Sequence, residues 1–203
     1  LEWIEPELPV VHPMPDGSAA ALDRDLLQTV RAFGEDGERY QRLVEPFVNR
    51  ADVLLPQLLN PPFPLGNLRM LAGFARKGLS SAESLVEKNF KTPAIRGMFA
   101  GMAAHSVRPL ETRLTGAVGL LFCITAHASG WPLPRGGSHS IAAAMRALFE
   151  SLGGEVVTDS PVSTFSKLPP SGAVLFDLAP SAVSRIAGEE LPSRYRKKLE
   201  QFR

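Results

Sequence analysis

The residues best placed to do chemistry lie in or just after Trp131–Phe165, WPLPRGGSHSIAAAMRALFESLGGEVVTDSPVSTF. Gly136 and Gly137 let a backbone approach a ligand closely, and their N–H groups stand near the start of a predicted helix, where partial positive charge favours anions. The same pair reads equally as a tight turn feeding that helix. Further on, Ala179 and Pro180 follow the apolar run Ala173 to Leu178. If that run is a strand buried on both faces, the two residues sit at its carboxyl end, where an open α/β sheet places its ligand crevice.

Other reactive side chains are less promising. His12, His105, His127 and His139 are not at H-x-x-x-H spacing and have no acidic neighbour close in sequence, so they do not spell a metal site. His139, two residues past Gly137, reads as a capping or solvent-facing residue. Ser138 and Ser140 lack the Gly-x-Ser-x-Gly elbow of a serine hydrolase. Cys123 lies in an apolar run and reads as a buried, inert thiol; a single cysteine also excludes an internal disulfide. No catalytic dyad stands out, and no catalytic residue is assigned.

The elements that must carry these residues are mostly helical. The chain opens with β character over Glu2–Glu5 and Leu8–His12, interrupted by Pro6, Pro9, Pro13 and Pro15. The Pro15-Asp16-Gly17 turn should return Ser18–Leu22 beside Val10–Met14. Asp23 is expected to cap a helix carrying Leu26, Leu27, Val30 and Phe33. A longer helical segment, Glu38 to Leu59, should bend or break at Pro46 and Pro56. Asn60-Pro61-Pro62-Phe63-Pro64 reads as a rigid loop. Helices follow over Asn67–Lys77, Ser81–Phe90, a segment opened by Thr92-Pro93, and Leu110–His127. Gly97 and Gly101, four apart, allow close packing.

After the Gly136-Gly137 turn, Ile141, Met145, Leu148, Phe149 and Leu152 fall on one face of a helix that Gly153 should end. The thin alanine side, Ala142 to Ala144, suits a helix lying against a sheet. Glu155–Thr158, Val162–Phe165 and Ala173–Leu178 read as strands. A short helix then starts at Ala179-Pro180, and a charged one covers Leu191 to Phe202; its basic Arg194, Arg196, Lys197 and Lys198 read as a solvated helix end, with phosphate or peripheral membrane contact the lesser alternative. The expected fold class is α+β: a mainly helical region with a small mixed sheet over residues 1–130, part of a Rossmann-like β-layer over 131–190, and a terminal helix over 191–203.

Composition bounds the function. With 203 residues, 44% hydrophobic and 21% charged, the chain can build one good core or a large and a small one. A formal net charge of +1 gives no general attraction to nucleic acid or anionic membrane. The solidly apolar run Ala117–Ile124 is shorter than the roughly 20 residues a spanning helix needs. No basic n-region marks a signal peptide, and the single cysteine suits a reducing cytoplasm.

Taken together, Trp-Pro-x-Pro-x-Gly-Gly, an Ala/Leu-rich helix, Gly-Gly-x-Val, Val-x-x-Phe and an apolar run ending Asp-Leu-Ala-Pro resemble the phytoene desaturase-like FAD-dependent oxidoreductases of the flavin amine oxidase superfamily. Trp3, His12-Pro13 and Asp16-Gly17 are similar to that family's substrate-domain insertion. The resemblance implies FAD as cofactor, a mostly apolar organic substrate, and helices that line the substrate cavity. It also implies that backbone groups of Val162 contact the FAD adenine. No Gly-x-Gly-x-x-Gly fingerprint occurs in the 203 residues, so the FAD-binding half of the polypeptide is expected upstream. The 203 residues alone are then expected to be inactive and to hold FAD weakly, and a truncated sheet could dimerise through its unpaired edges. Two other readings stand beside this one: a non-enzymatic helical module that binds a lipid or a partner helix, and an amine-oxidase-type flavoenzyme.

Overall fold

The structure is a computed structural model and describes residues 1–60 and 67–202. Among these the chain is α+β, with ten α-helices and two small antiparallel sheets. It divides into two compact units, Leu1–Ala144 and Met145–Arg203.

In the first unit, β1 (Trp3–Ile4) pairs antiparallel with β4 (Leu133–Pro134). The expected hairpin forms: β2 (Val10–Pro13) pairs with β3 (Ala19–Leu22) in the register Val10↔Leu22. Its turn is closed by Met14 N–H to Ser18 O at 2.8 Å, with Gly17 at φ +84° and the Asp16 carboxylate accepting from Ser18. Both ladders are antiparallel, so the expected mixed sheet is corrected.

Capping decides where the first helices start. Asp25, not Asp23, caps α1 (Leu26–Ala32), accepting from Leu27 N–H at 2.9 Å; Asp23 accepts instead from Asp25 N–H. The long segment after it breaks once, at Asn49-Arg50, into α2 (Gly37–Val48) and α3 (Ala51–Leu59). Each proline is retained inside a helix. Pro46 has no N–H, which frees the Arg42 carbonyl four residues earlier. Lys77 Nζ donates to that oxygen at 3.3 Å and to Leu43 O at 3.0 Å, replacing the lost partner. Most of the expected 60–64 loop lies outside the described residues.

The remaining helices of the unit are α4 (Leu68–Gly78), α5 (Ala82–Asn89), α6 (Pro93–Ala104) and α7 (Thr115–Ala128). Asn67 and Ser81 cap α4 and α5 through their side chains. Pro93 occupies the first turn of α6 and Thr92 is its N-cap residue, but the Thr92 side chain makes no capping hydrogen bond. The Thr92 hydroxyl donates to Asp36, which also accepts from the N–H groups of Lys91 and Thr92, all within 2.9 Å. Burial opposes a charge on Asp36, yet these hydrogen bonds outweigh it and hold the carboxyl below its usual value.

The core centres on α6 and α7. Ile95, Met98, Phe99 and Met102 face Leu120, Cys123 and Ile124, all fully buried. A Cβ at Gly119 would lie 2.7 Å from the Phe99 ring, so the bare backbone lets the two helices meet. α2, α4 and α5 pack against α7, and the hairpin packs on α6. Cys123 is buried, and burial pushes its thiol up to about 12. Beside it, Tyr40 donates to His127 Nε2 at 2.8 Å while His127 Nδ1–H points to Arg24 O at 3.4 Å. These partners select one neutral tautomer of a buried imidazole.

In the second unit, the remainder of α8 (His139–Ser151) leads into an irregular stretch broken by one 3₁₀ turn, Phe165–Lys167. α9 (Pro180–Ala187) and α10 (Ser193–Glu200) pack together, with Ala187 buried between them and Arg196 ion-paired to Glu200 at 3.7 Å. The strands expected at Glu155–Thr158, Val162–Phe165 and Ala173–Leu178 do not form among the described residues. These segments are rich in β-favouring residues, but a strand exists only with a ladder partner, and none is paired. Nor is Ala173–Leu178 buried on both faces: Leu175 is 92% exposed.

Two outcomes are expected from the buried polar groups. Asp36→Ala strands two N–H groups and a hydroxyl, and should cost about 3 kcal/mol in urea unfolding. Burial lowers the pKa of His127 from 6.5, so the folded chain resists a proton that the unfolded chain accepts. Stability should be flat above about pH 6.5 and fall as the pH drops below it, read as melting temperature against pH; His127→Gln should flatten that slope.

Candidate functional site

The glycine-rich turn is held from both sides. Arg135 N–H donates to Glu2 O at 2.9 Å, and the Arg135 guanidinium meets the Glu2 carboxylate at 2.8 Å, tying the turn to β1. Gly136 and Gly137 follow at φ +84° and +81°, a conformation that side chains strain. Gly137 N–H closes on Pro134 O at 2.9 Å, and the Ser140 hydroxyl donates to Arg135 O at 2.6 Å. α8 starts two residues later, with His139 solvent-facing at its first position. A Cβ at Gly136 would come within 2.7 Å of Ser140 Oγ, whereas one at Gly137 would meet nothing within 4 Å. Gly136 is therefore required by the turn itself, whereas Gly137 has open space where a Cβ would sit but its N–H and C=O are both taken within the turn, the latter by Ser140 N–H at 3.0 Å.

The helix carries the apolar face its spacing predicts, and Gly153 ends it at φ +88°. No residue of α8 is buried among the described residues. Met145, Leu148, Phe149 and Leu152 are each at least half exposed.

Val162, Ala179 and Pro180 belong to the second unit. Val162 lies in an irregular, exposed stretch, and neither its N–H nor its C=O is hydrogen-bonded among the described residues. Ala179 and Pro180 do not end a strand. Ala179 is the N-cap of α9, its carbonyl accepting from Ala182 and Val183 at 2.9 and 3.1 Å, and Pro180 is the first helical residue. The correction has a simple cause: Pro180 supplies a helix start whether or not the preceding run pairs.

The first unit also brings together residues that sequence spacing kept apart. The His12 ring lies against α6 at Gly101, where any Cβ would overlap it, and Met14 Cε lies 3.0 Å from a Cβ position at Gly97. Gly97 and Gly101 thus receive the hairpin rather than another helix. His12 Nδ1 is buried and unpartnered. Burial, and then the nearby His105, lower the His12 pKa, so the ring is neutral at pH 7. His105 stacks on Phe122 with centroids 4.4 Å apart, and Phe122 meets Trp131 edge-on at 5.5 Å. Trp131 Nε1–H donates to Thr125 Oγ1 at 3.3 Å. No third metal-ligating side chain completes this pair among the described residues. The patch sets the His12 and His105 rings beside aromatic surface, a combination suited to orienting a mostly apolar molecule. Only the glycine spacing hinted at it.

No family model, curated protein or solved structure matches the chain.

Substituting the two glycines should separate their roles. Gly137→Ala pays only for its backbone conformation, about 1 kcal/mol, while Gly136→Ala adds the clash with Ser140 and should cost about twice that, measured by chemical unfolding.

Proposed function

We propose that these residues are the substrate-binding portion of an FAD-dependent oxidoreductase that takes hydride from a mostly apolar organic substrate. The observation that carries the reading is the uncovered state of α8 and of the segments C-terminal to it. A glycine turn feeds a helix whose apolar face is bare, and extended apolar segments with free backbone groups come next. Such a set suits a layer completed by strands from the FAD-binding half of the same polypeptide.

Residues present fit part of a flavin site. Val162 has a free N–H and C=O, as a backbone contact to adenine needs, and Ser163 beside it is small. In the first unit, Gly136 and Gly137 form the turn that starts α8; Gly137 leaves space for close approach, while its N–H and C=O are engaged within the turn. Ala179 and Pro180 would contribute only by starting α9 beside the cofactor. The pyrophosphate fingerprint is absent from the 203 residues. When bound, FAD supplies the hydride acceptor, so the chain need not contribute a nucleophile. Its own task is to bind and orient the substrate, to which the helices of the first unit and the His12–His105–Trp131 patch are assigned. No helix among the described residues is long and apolar enough to cross a membrane; a cytoplasmic setting belongs to the proposal.

The test is flavin retention. Protein purified from the complete reading frame should carry stoichiometric FAD, and Val162→Pro, which removes the N–H, should weaken FAD binding by about tenfold. The 203-residue chain should purify colourless. A complete product that neither retains nor binds FAD overturns the proposal, as does a stoichiometric flavin band in the 203-residue chain.

A further inference from the structure

A near-neutral chain hides a local concentration of charge. A groove of about 560 Å³ between α2, α4 and α5 is lined by Arg39, Arg42, Arg76, Lys77 and Lys88, and its lining contains no carboxylate. Two of the five cations are anchored by backbone: Arg39 Nη1 donates to Asn89 O at 3.3 Å, and Lys77 to Arg42 O and Leu43 O. Arg42 meets Glu38 at 3.5 Å in a solvent-exposed pair, which neutralises little. Arg76 and Lys88 have no ion-pair partner among the described residues. Like charges gathered in a concave surface repel one another and raise the local concentration of anions. Arg39 and Lys77 also serve the fold through those carbonyls, but Arg76 and Lys88 add charge to the groove without such a role, since the core beneath is closed by Leu43 and Leu85.

The chemistry of the lining narrows the ligand. Guanidinium groups match phosphate oxygens bidentately, and several cations converging on one groove suit more than one negative charge. The volume exceeds a single phosphate. A second, more apolar trough of about 310 Å³ adjoins it and shares Arg76 and Lys77; Phe47 and Met70 line it, with Arg50 and Arg69 also on its wall.

We infer that this groove binds the phosphate head of an amphiphilic phosphate ester, with the apolar part of the ligand lying in the trough over Phe47 and Met70. The site is separate from the flavin reading and stands or falls without it. The head group can belong to a soluble ester or to a membrane lipid, and the test distinguishes them.

Inorganic pyrophosphate is titrated calorimetrically at constant ionic strength, and sedimentation is measured with phosphatidylcholine vesicles containing or lacking phosphatidic acid. The variant Arg42→Glu/Lys88→Glu alters two exposed side chains, and an unchanged melting temperature without ligand verifies its fold. Pyrophosphate binding weakened at least about tenfold in the variant assigns a soluble ester. Sedimentation only with phosphatidic acid, lost in the variant, assigns a lipid head group. Absence of both, or binding that the variant leaves intact, overturns the inference.

Discussion

The contact between α6 and α7 at Gly119 is the constraint from which the first unit is built. With no side chain at that position, Phe99 can lie against the α7 backbone, and Ala103 closes in at 3.2 Å from the same point. Two helices this close exclude water along their whole seam, so Met98, Met102, Leu120 and Ile124 are lost to solvent together. Most other packed elements of the unit then borrow a free side of this pair, while α1 packs on α2 and the hairpin. α7 offers its remaining faces to α2, α4 and α5, while α6 offers Gly97 and Gly101 to the hairpin. The polar ties are arranged around the same seam: Tyr40 and His127 satisfy one another beneath α1 and α2, and the Thr115 hydroxyl, at the start of α7, accepts from Ala82 N–H at 2.8 Å.

What was legible in the chain was what is local. Turn chemistry at Pro15-Asp16-Gly17 located the hairpin and its register. Apolar periodicity with Asn67, Ser81 and Pro93 located α4 to α6 to within a residue or so. The misses have a common origin in distance along the chain. Asp25 displaced Asp23 as a cap because Asp23 is tied to the middle of α1, its N–H donating to Thr29 Oγ1 at 2.9 Å. Pro46 stays in its helix because a lysine thirty-one positions later serves the freed carbonyl. β4 is two residues long and contains a proline, so no pattern marks it. The histidine and aromatic patch required the hairpin to be docked before His12 and His105 could be neighbours.

The second unit illustrates the difference between a strand's composition and a strand. Val156, Val157, Val162, Val174 and Leu175 have the side chains of β-structure, yet pairing depends on a neighbour and not on the segment alone. The same reasoning explains why the Gly136-Gly137 turn and the helix start at Ala179-Pro180 are legible in the sequence, while the strand expected to end at Leu178 does not form. A turn is specified by its own φ angles and a helix start by its proline, whereas the end of a strand is specified by the sheet.

Lys77 joins two properties that are usually independent. Its ammonium completes the backbone that Pro46 leaves open, and it also lies 5.2 Å over the Phe47 ring at the border of the two grooves. Burial and the neighbouring Arg76 lower its pKa, a cost that the two carbonyls help to offset. The two positions are therefore coupled: with proline at 46, the lysine at 77 is held by the backbone as well as by the groove, so replacing it changes the α2 carbonyls and the groove charge at once.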